Sequence, residues 1–235
     1  MKAIACFYHL PKTGGSTLTA TIRNNINDNE YLIFNQELGD FSFALYKRMG
    51  QKELIKYASG HRLTKEFVNY NKSIRKVKSI ILIREPAEQI VSSYNHDMNY
   101  KFSVKIPFYI WYNFFTVRNP QTSNILRRYI GRFLESININ RKKYNNVVNE
   151  LKDFYYVGVT EHLSKDLKYI MDSICVSDFK EVNKNVSGIK HKKFLYLDQN
   201  LKEKLNNENK YDMKLYEYAL KRRNKFIENF NDEKY

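Results

Sequence analysis

Near its start the chain runs Ile4-Ala5-Cys6-Phe7-Tyr8-His9-Leu10-Pro11-Lys12-Thr13-Gly14-Gly15-Ser16-Thr17-Leu18. An apolar stretch of strand length ends in a lysine, a glycine pair and hydroxyl side chains, and a helical pattern begins at once. Residues of these types in this order can hold an anion. Glycines let backbone N–H groups approach phosphate-like oxygens, and a helix N-terminus adds partial positive charge. Lys12 brings a full charge, while Ser16 and Thr17 offer hydroxyl donors. The order is not that of a Walker A loop, in which Gly-Lys-Ser/Thr closes the motif. Taken alone, the segment is also compatible with a glycine turn that carries an incidental lysine.

Two further segments carry chemistry. Ser79-Ile80-Ile81-Leu82-Ile83 reads as a buried strand, followed by Arg84-Glu85-Pro86 and then by Ala87, Ile90, Val91, Tyr94 and Met98 at helical spacing. Pro86 suits the first turn of that helix. Arg84 therefore stands at a strand's C-terminal end, where open α/β sheets bind ligands. Ser92, about two turns along the helix, can join it on one anion. Gly60-His61-Arg62 follows the apolar-aromatic run from Ile55 to Ala58 and places an imidazole at another strand end, on the same edge as Lys12 and Arg84. Histidine titrates closest to neutrality and is the natural general base, although a lone histidine is more often structural than catalytic.

The run Pro11-Lys12-Thr13-Gly14-Gly15-Ser16-Thr17 resembles the 5′-phosphosulfate loop of sulfotransferases that use 3′-phosphoadenosine 5′-phosphosulfate (PAPS). Arg84-Glu85-Pro86 through Ser92-Ser93-Tyr94-Asn95-His96 is similar to the carbohydrate sulfotransferases of heparan and uronyl 2-O type. In that family the strand–Arg–helix–Ser unit binds the 3′-phosphate, and a Gly-His pair before it carries the catalytic histidine. Asn119-Pro120-Gln121-Thr122 with Gly131, Tyr156-Val157-Gly158-Val159-Thr160-Glu161, and Asn209-Lys210-Tyr211-Asp212 with Leu215-Tyr216 continue the resemblance in order.

This resemblance implies Lys12 and His61 as catalytic residues. It places Lys12, Thr13, Gly14, Gly15, Ser16, Thr17, Arg84 and Ser92 around PAPS. Ser187 and Lys190 join them if the basic loop 183–193 closes over the 3′-phosphate rather than lying solvated. His96 and Glu85 are the substitutes for the base, and His9 reads as packing. The implied acceptor is a hydroxyl-bearing saccharide, with Phe108, Tyr109, Trp111, Tyr112, Phe114 and Phe115 available either to stack on sugar rings or to fill the core.

Two other functions compete. A P-loop kinase needs Mg²⁺, usually held by a loop hydroxyl and an aspartate at a second strand end. Here Arg84 follows Ile83 and Thr160 follows Val159. A sulfuryl group carries less charge than a phosphoryl group and has less need of a metal, and no metal site is expected. A nucleic-acid or polyanion binder would account for the net charge of +15, but it gives the Lys12 loop and the Arg84–Ser92 spacing no task.

These residues need a sheet to carry them. Strands are expected near 3–9, 30–34, 55–59, 79–83 and 154–159, and helices near 16–26, 41–49, 86–99, 107–117, 121–134, 142–152, 161–174 and 199–228, the last broken near Asn206-Asn207. The alternation favours a parallel sheet with helices on both faces; the resemblance implies a three-layer α/β fold related to P-loop nucleotide kinases. With 235 residues, 43% of them hydrophobic, a single domain can bury a sizeable core. The tail from Asn229 is expected to fray. No apolar run approaches the ~18 residues of a membrane span, and no signal region is evident. A cytoplasmic protein is the expectation, with no membrane span, though an excised catalytic domain would look the same. Cys6 and Cys175 are expected to be buried free thiols.

Overall fold

A computed structural model of the chain describes residues 3–34, 39–50, 52–182 and 192–232. Ser187 and Lys190, together with most of the basic loop, lie outside the described residues. The strands are β1 (Ile4–Tyr8), β2 (Tyr31–Ile33), β3 (Tyr57–Gly60), β4 (Val77–Ile83) and β5 (Tyr156–Val159). They form one parallel sheet in the order β2-β3-β1-β4-β5. Every residue of β1 is buried, as a central strand covered on both faces requires. All strand ends therefore point their loops to one edge, and β1 and β4 are neighbours there: Tyr8 pairs with Gly60 on one side and with Ile81 on the other.

The helices are α1 (Gly15–Arg23), α2 (Gly39–Arg48), α3 (Lys65–Lys72), α4 (Pro86–Tyr100) and α5 (Phe108–Phe114). They continue with α6 (Pro120–Asn124), α7 (Arg141–Leu151), α8 (Leu163–Ser173), α9 (Gln199–Glu208) and α10 (Lys210–Asp232). The period-two alternation of the strands divides them between two faces. Ala5, Phe7, Ile80, Leu82 and Tyr156 face α1 and α8 through Leu18, Ile22, Leu167, Ile170 and Met171. Cys6, Tyr8, Ile81, Ile83 and Val157 face α3, α7 and α10 through Phe67, Val68, Val147, Leu151, Leu215 and Ala219. A third cluster ties α4 to α5 and α9 through Ile90, Tyr94, Met98, Trp111 and Leu205. The expected three-layer α/β architecture is the one found.

Several local expectations are corrected. Helix α3 has no counterpart in the expected elements; its apolar stripe is short, and only Phe67, Val68 and Asn71 are buried. Thr64 starts it by accepting a hydrogen bond from the Phe67 N–H, and the crossover from β3 to the parallel β4 supplies the need for it. The expected helix over 121–134 is shorter. Helix α6 passes into a π-helical turn over Ile125–Tyr129 and stops before Gly131, which takes φ +80°. The last helical stretch breaks at Asn209 rather than at Asn206-Asn207. Residues Asn229–Asp232 remain helical. Cys175 is exposed, not buried, because it leaves α8 in the left-handed region (φ 59°), where the chain turns out of the core.

Helix α10 is fastened by one buried ion pair. Arg223 Nε and Nη2 each donate to the Asp166 carboxylate at 2.6 Å, and the Tyr156 hydroxyl donates to it at 2.5 Å. The Asp166 side chain is 1% exposed. Asp166→Ala would leave a partly buried guanidinium and a buried phenol without their acceptor. It is expected to cost about 3–5 kcal/mol, measured by chemical denaturation; a cost below about 1 kcal/mol, the range of a solvated surface pair, would refute the fastening role.

Candidate active site

The loop after β1 turns sharply. Lys12 adopts φ 64° and Gly14, the N-cap of α1, φ 79°. A left-handed lysine is an uncommon conformation that persists where surrounding contacts hold it. Those contacts are visible: the buried Thr13 hydroxyl donates to the Leu10 carbonyl at 3.0 Å, Gln89 Nε2 of α4 donates to the Pro11 carbonyl at 3.1 Å, and Arg84 Nη1 donates to the Lys12 carbonyl at 3.3 Å. Gly15 is required by space, since a Cβ there would lie 2.0 Å from the His9 ring. The first turn of α1 holds no acidic residue, and among the described residues no side chain caps it. Its N–H groups are thus available to an anion. Ser16 is exposed and Thr17 is buried, whereas the Thr13 hydroxyl is already committed to the loop itself.

The second cationic strand end is Arg84, directly after β4. Its guanidinium bonds Glu88 at 3.2 Å as well as the Lys12 carbonyl, so it bridges the two loops. Among the described residues its Nε is buried without a hydrogen-bond acceptor, with a Glu161 carboxylate oxygen 4.0 Å away. Ser92 lies one turn beyond Glu88 on α4 and is partly buried. The N-terminus of α4 is closed by the chain's own groups: Asn206 Oδ1 accepts from the Ala87 N–H at 3.0 Å, and Glu161 accepts from the Glu85 N–H at 3.3 Å. Of these two helix starts, α1 is the open one. Glu85 is engaged by Asn206 and Lys202.

Burial lowers the pKa of Lys12, and the Arg84 cation lowers it further, while Asp97 acts in the opposite sense. Two cations share one small region, as an anion-binding site requires.

The histidines fall into two groups. His61 follows Gly60, whose φ of +144° and 2.1 Å clearance from a Cβ to the Phe34 carbonyl oxygen allow no side chain. Its ring stacks on His9 with centroids 4.2 Å apart. His61 Nδ1 stands 2.8 Å from the His9 carbonyl oxygen. A carbonyl only accepts, so Nδ1 carries the proton and Nε2 is left with its lone pair. Burial moves the His61 pKa down, the His9 carbonyl opposes this, and Arg128 adds to it. His9 is pushed to about 3 by burial, then by His61 and Lys12, and stays neutral as a packing residue. His96, on α4, is lowered by burial and by Lys12, and its Nδ1 lies 3.4 Å from Asp97.

Other participants escaped the sequence reading. Gln89 and Glu88 occupy unremarkable helical positions. Arg62 follows His61 in the chain, and Arg128 acts electrostatically on His61; Arg127 and Arg62 both act on Arg128, and none of the three has an ion-pair or side-chain hydrogen-bond partner among the described residues. Arg127 and Arg128 both lie in the π-helical turn. In the aromatic segment Trp111 and Tyr112 are buried, Phe108 packs against them, and Tyr109, Phe114 and Phe115 are exposed. Among the described residues no three His, Cys, Asp or Glu side chains converge to hold a metal ion, and no helix is long and apolar enough to cross a membrane.

No protein-family model matches the sequence, and no curated protein matches it. Solved structures do. A sulfotransferase from Alicyclobacillus acidocaldarius is similar over 94% of this chain and 97% of its own, with 15% identity and a TM-score of 0.51. Mouse sulfotransferase SULT7A1, crystallised with PAP, is similar over 78% of this chain with 20% identity and a TM-score of 0.44. The chain spans only 61% of the mouse protein's length. At these identities the likeness is one of architecture: the chain has the three-layer α/β fold found in the bacterial sulfotransferase.

Proposed function

We propose that this protein is a sulfotransferase that moves the sulfuryl group of PAPS onto a hydroxyl of an acidic saccharide. The observation that carries the reading is the bond between two cationic strand ends. Arg84 at the end of β4 donates to the carbonyl of Lys12 in the loop after β1, beside the open N-terminus of α1. Paired anion sites on adjacent strand ends suit a nucleotide with phosphate at both its 5′ and its 3′ side. The buried Arg84 Nε, which lacks an acceptor, fits a ligand oxygen.

Bound PAPS supplies an activated sulfuryl group whose leaving group is a phosphate. Lys12 and the first N–H groups of α1 would neutralise the charge that develops on that phosphate. His61 Nε2 would take the proton of the acceptor hydroxyl as its oxygen bonds to sulfur. Ser16 and Thr17 would donate to the 5′ oxygens, and Ser92 would assist Arg84 at the 3′-phosphate. Arg62, Arg127 and Arg128 favour an acceptor with negative charge near the reacting hydroxyl. The chain also holds no acidic residue from Met98 to Leu134, and the exposed Tyr109, Phe114 and Phe115 offer faces for sugar rings. Incubation with PAPS and a panel of neutral and acidic glycans, read by mass spectrometry, tests the reading. Transfer to none of them would remove the saccharide acceptor.

The cofactor half has its own measurement. Calorimetry is expected to show 3′-phosphoadenosine 5′-phosphate (PAP) binding much more tightly than ADP and without Mg²⁺. Arg84→Ala is expected to erase most of that preference, since a charge-assisted bond contributes about 1.5–3 kcal/mol. Equal affinity for ADP, or a strict metal requirement, would favour a kinase.

A further inference from the structure

We propose that Gln121 is a positioning residue that fixes the peptide of Arg84 and thereby sets discrimination for a 3′-phosphate; this rests on the assignment of Arg84 to that phosphate.

The β4–β5 ladder ends at Ile83 opposite Val159, and the β1–β4 ladder ends earlier, at Ile81. Arg84 is the first residue past both. Its backbone has no strand partner, and a lone peptide at a sheet's edge leaves its side chain free to swing. The Gln121 side chain fills the missing place. Its Oε1 accepts from the Arg84 N–H at 2.9 Å, and its Nε2 donates to the Arg84 carbonyl at 2.7 Å. One primary amide thus reproduces the two bonds a neighbouring strand would make. Gln121 is 1% exposed, so water does not compete for these bonds.

The amide is itself held from behind. Asp212 accepts from the Gln121 and Thr122 N–H groups at 2.8 Å each and from the Thr122 hydroxyl at 2.6 Å. Asn119 Oδ1 accepts in return from the N–H groups of Tyr211 and Asp212 at 2.8 and 3.1 Å, and Asn209 Oδ1 accepts from the Asn119 N–H at 2.6 Å. The starts of α6 and α10 therefore cap each other inside the core, and Gln121 extends from this clasp to Arg84. Because Arg84 also bonds the Lys12 carbonyl, the clasp fixes the distance between the two anion-binding groups. A packing role alone would require neither bond to the Arg84 peptide.

The test compares PAP with adenosine 5′-monophosphate, which lacks the 3′-phosphate, by calorimetry on the wild type, Gln121→Met and Gln121→Asn. The methionine variant keeps the volume without the bonds. The asparagine variant keeps the amide at a length that cannot reach, so the ratio can be read if either one folds by circular dichroism. The expected result is a preference for PAP in the wild type that falls roughly tenfold in the variants, the scale on which partners behind a ligand-binding group usually act, with monophosphate affinity within about twofold of wild type. An unchanged ratio in a folded variant, or equal loss for both nucleotides, would overturn the positioning role. A wild type without preference for PAP would instead defeat the assignment of Arg84, a separate outcome.

Discussion

Lys12→Ala is expected to lower the turnover of PAPS-dependent sulfate transfer by roughly a hundred- to a thousand-fold, the usual cost of losing one preorganised donor where charge develops. The loop geometry is set by bonds that the mutation leaves intact. Thr13, Gln89 and Arg84 reach carbonyls of the loop, not the lysine side chain. Binding of PAP, which is held also by the open helix start and by Arg84, is expected to weaken much less than turnover. The measurement is a steady-state assay paired with calorimetry on the same preparation. A variant that loses affinity and rate in equal proportion would show that Lys12 binds the ground state as tightly as the transition state. Partial release of the Lys12–Arg84 repulsion on mutation works in the same direction as the expected split, since it favours ground-state folding and binding geometry while the developing charge goes unmet.

The second large effect is expected at His61. His61→Ala is predicted to lower turnover by roughly a hundred- to ten-thousand-fold, the range of general-base contributions, with PAP affinity nearly unchanged because the base touches the acceptor. The pH dependence gives the sharper reading. The neutral imidazole is the active form, so the wild-type rate rises as pH climbs through the His61 pKa and is flat above it. Burial holds that pKa below the ordinary 6.5, so the limb is expected on the acid side of 6.5, not near neutrality. The limb should vanish in the alanine variant. If both rate and limb survive, His96 becomes the residue to change. Lys12 acts on it electrostatically, and Asp97 stands beside it.

Much of this site was legible because it is local. A glycine pair after an apolar run, an arginine before Glu-Pro, and a Gly-His pair each advertise a strand end through neighbours in sequence. Parallel pairing then brings all such ends to one edge. The same logic found the five strands. It missed α3, whose reason for being helical is the crossover rather than its own stripe. It also misjudged Cys175, since one left-handed residue at a helix end decides whether the side chain points in or out.

The segments Asn119-Pro120-Gln121-Thr122 and Asn209-Lys210-Tyr211-Asp212 are the clearest division between the two kinds of information. The sequence by itself determined that the chain carries a lysine–glycine loop after one strand, a second cation at another strand end, a histidine at a third, and a parallel α/β framework, because each depends on residues within a few positions of one another. Only the tertiary structure decided that the two Asn-containing segments cap each other across about ninety positions, that Gln121 serves the Arg84 backbone, and that the charge of Arg128 is felt at His61. The physical reason is that hydrogen bonds and Coulomb forces act over a few ångströms of space. Residues far apart in sequence meet at that range only after the apolar faces of the sheet and helices have packed.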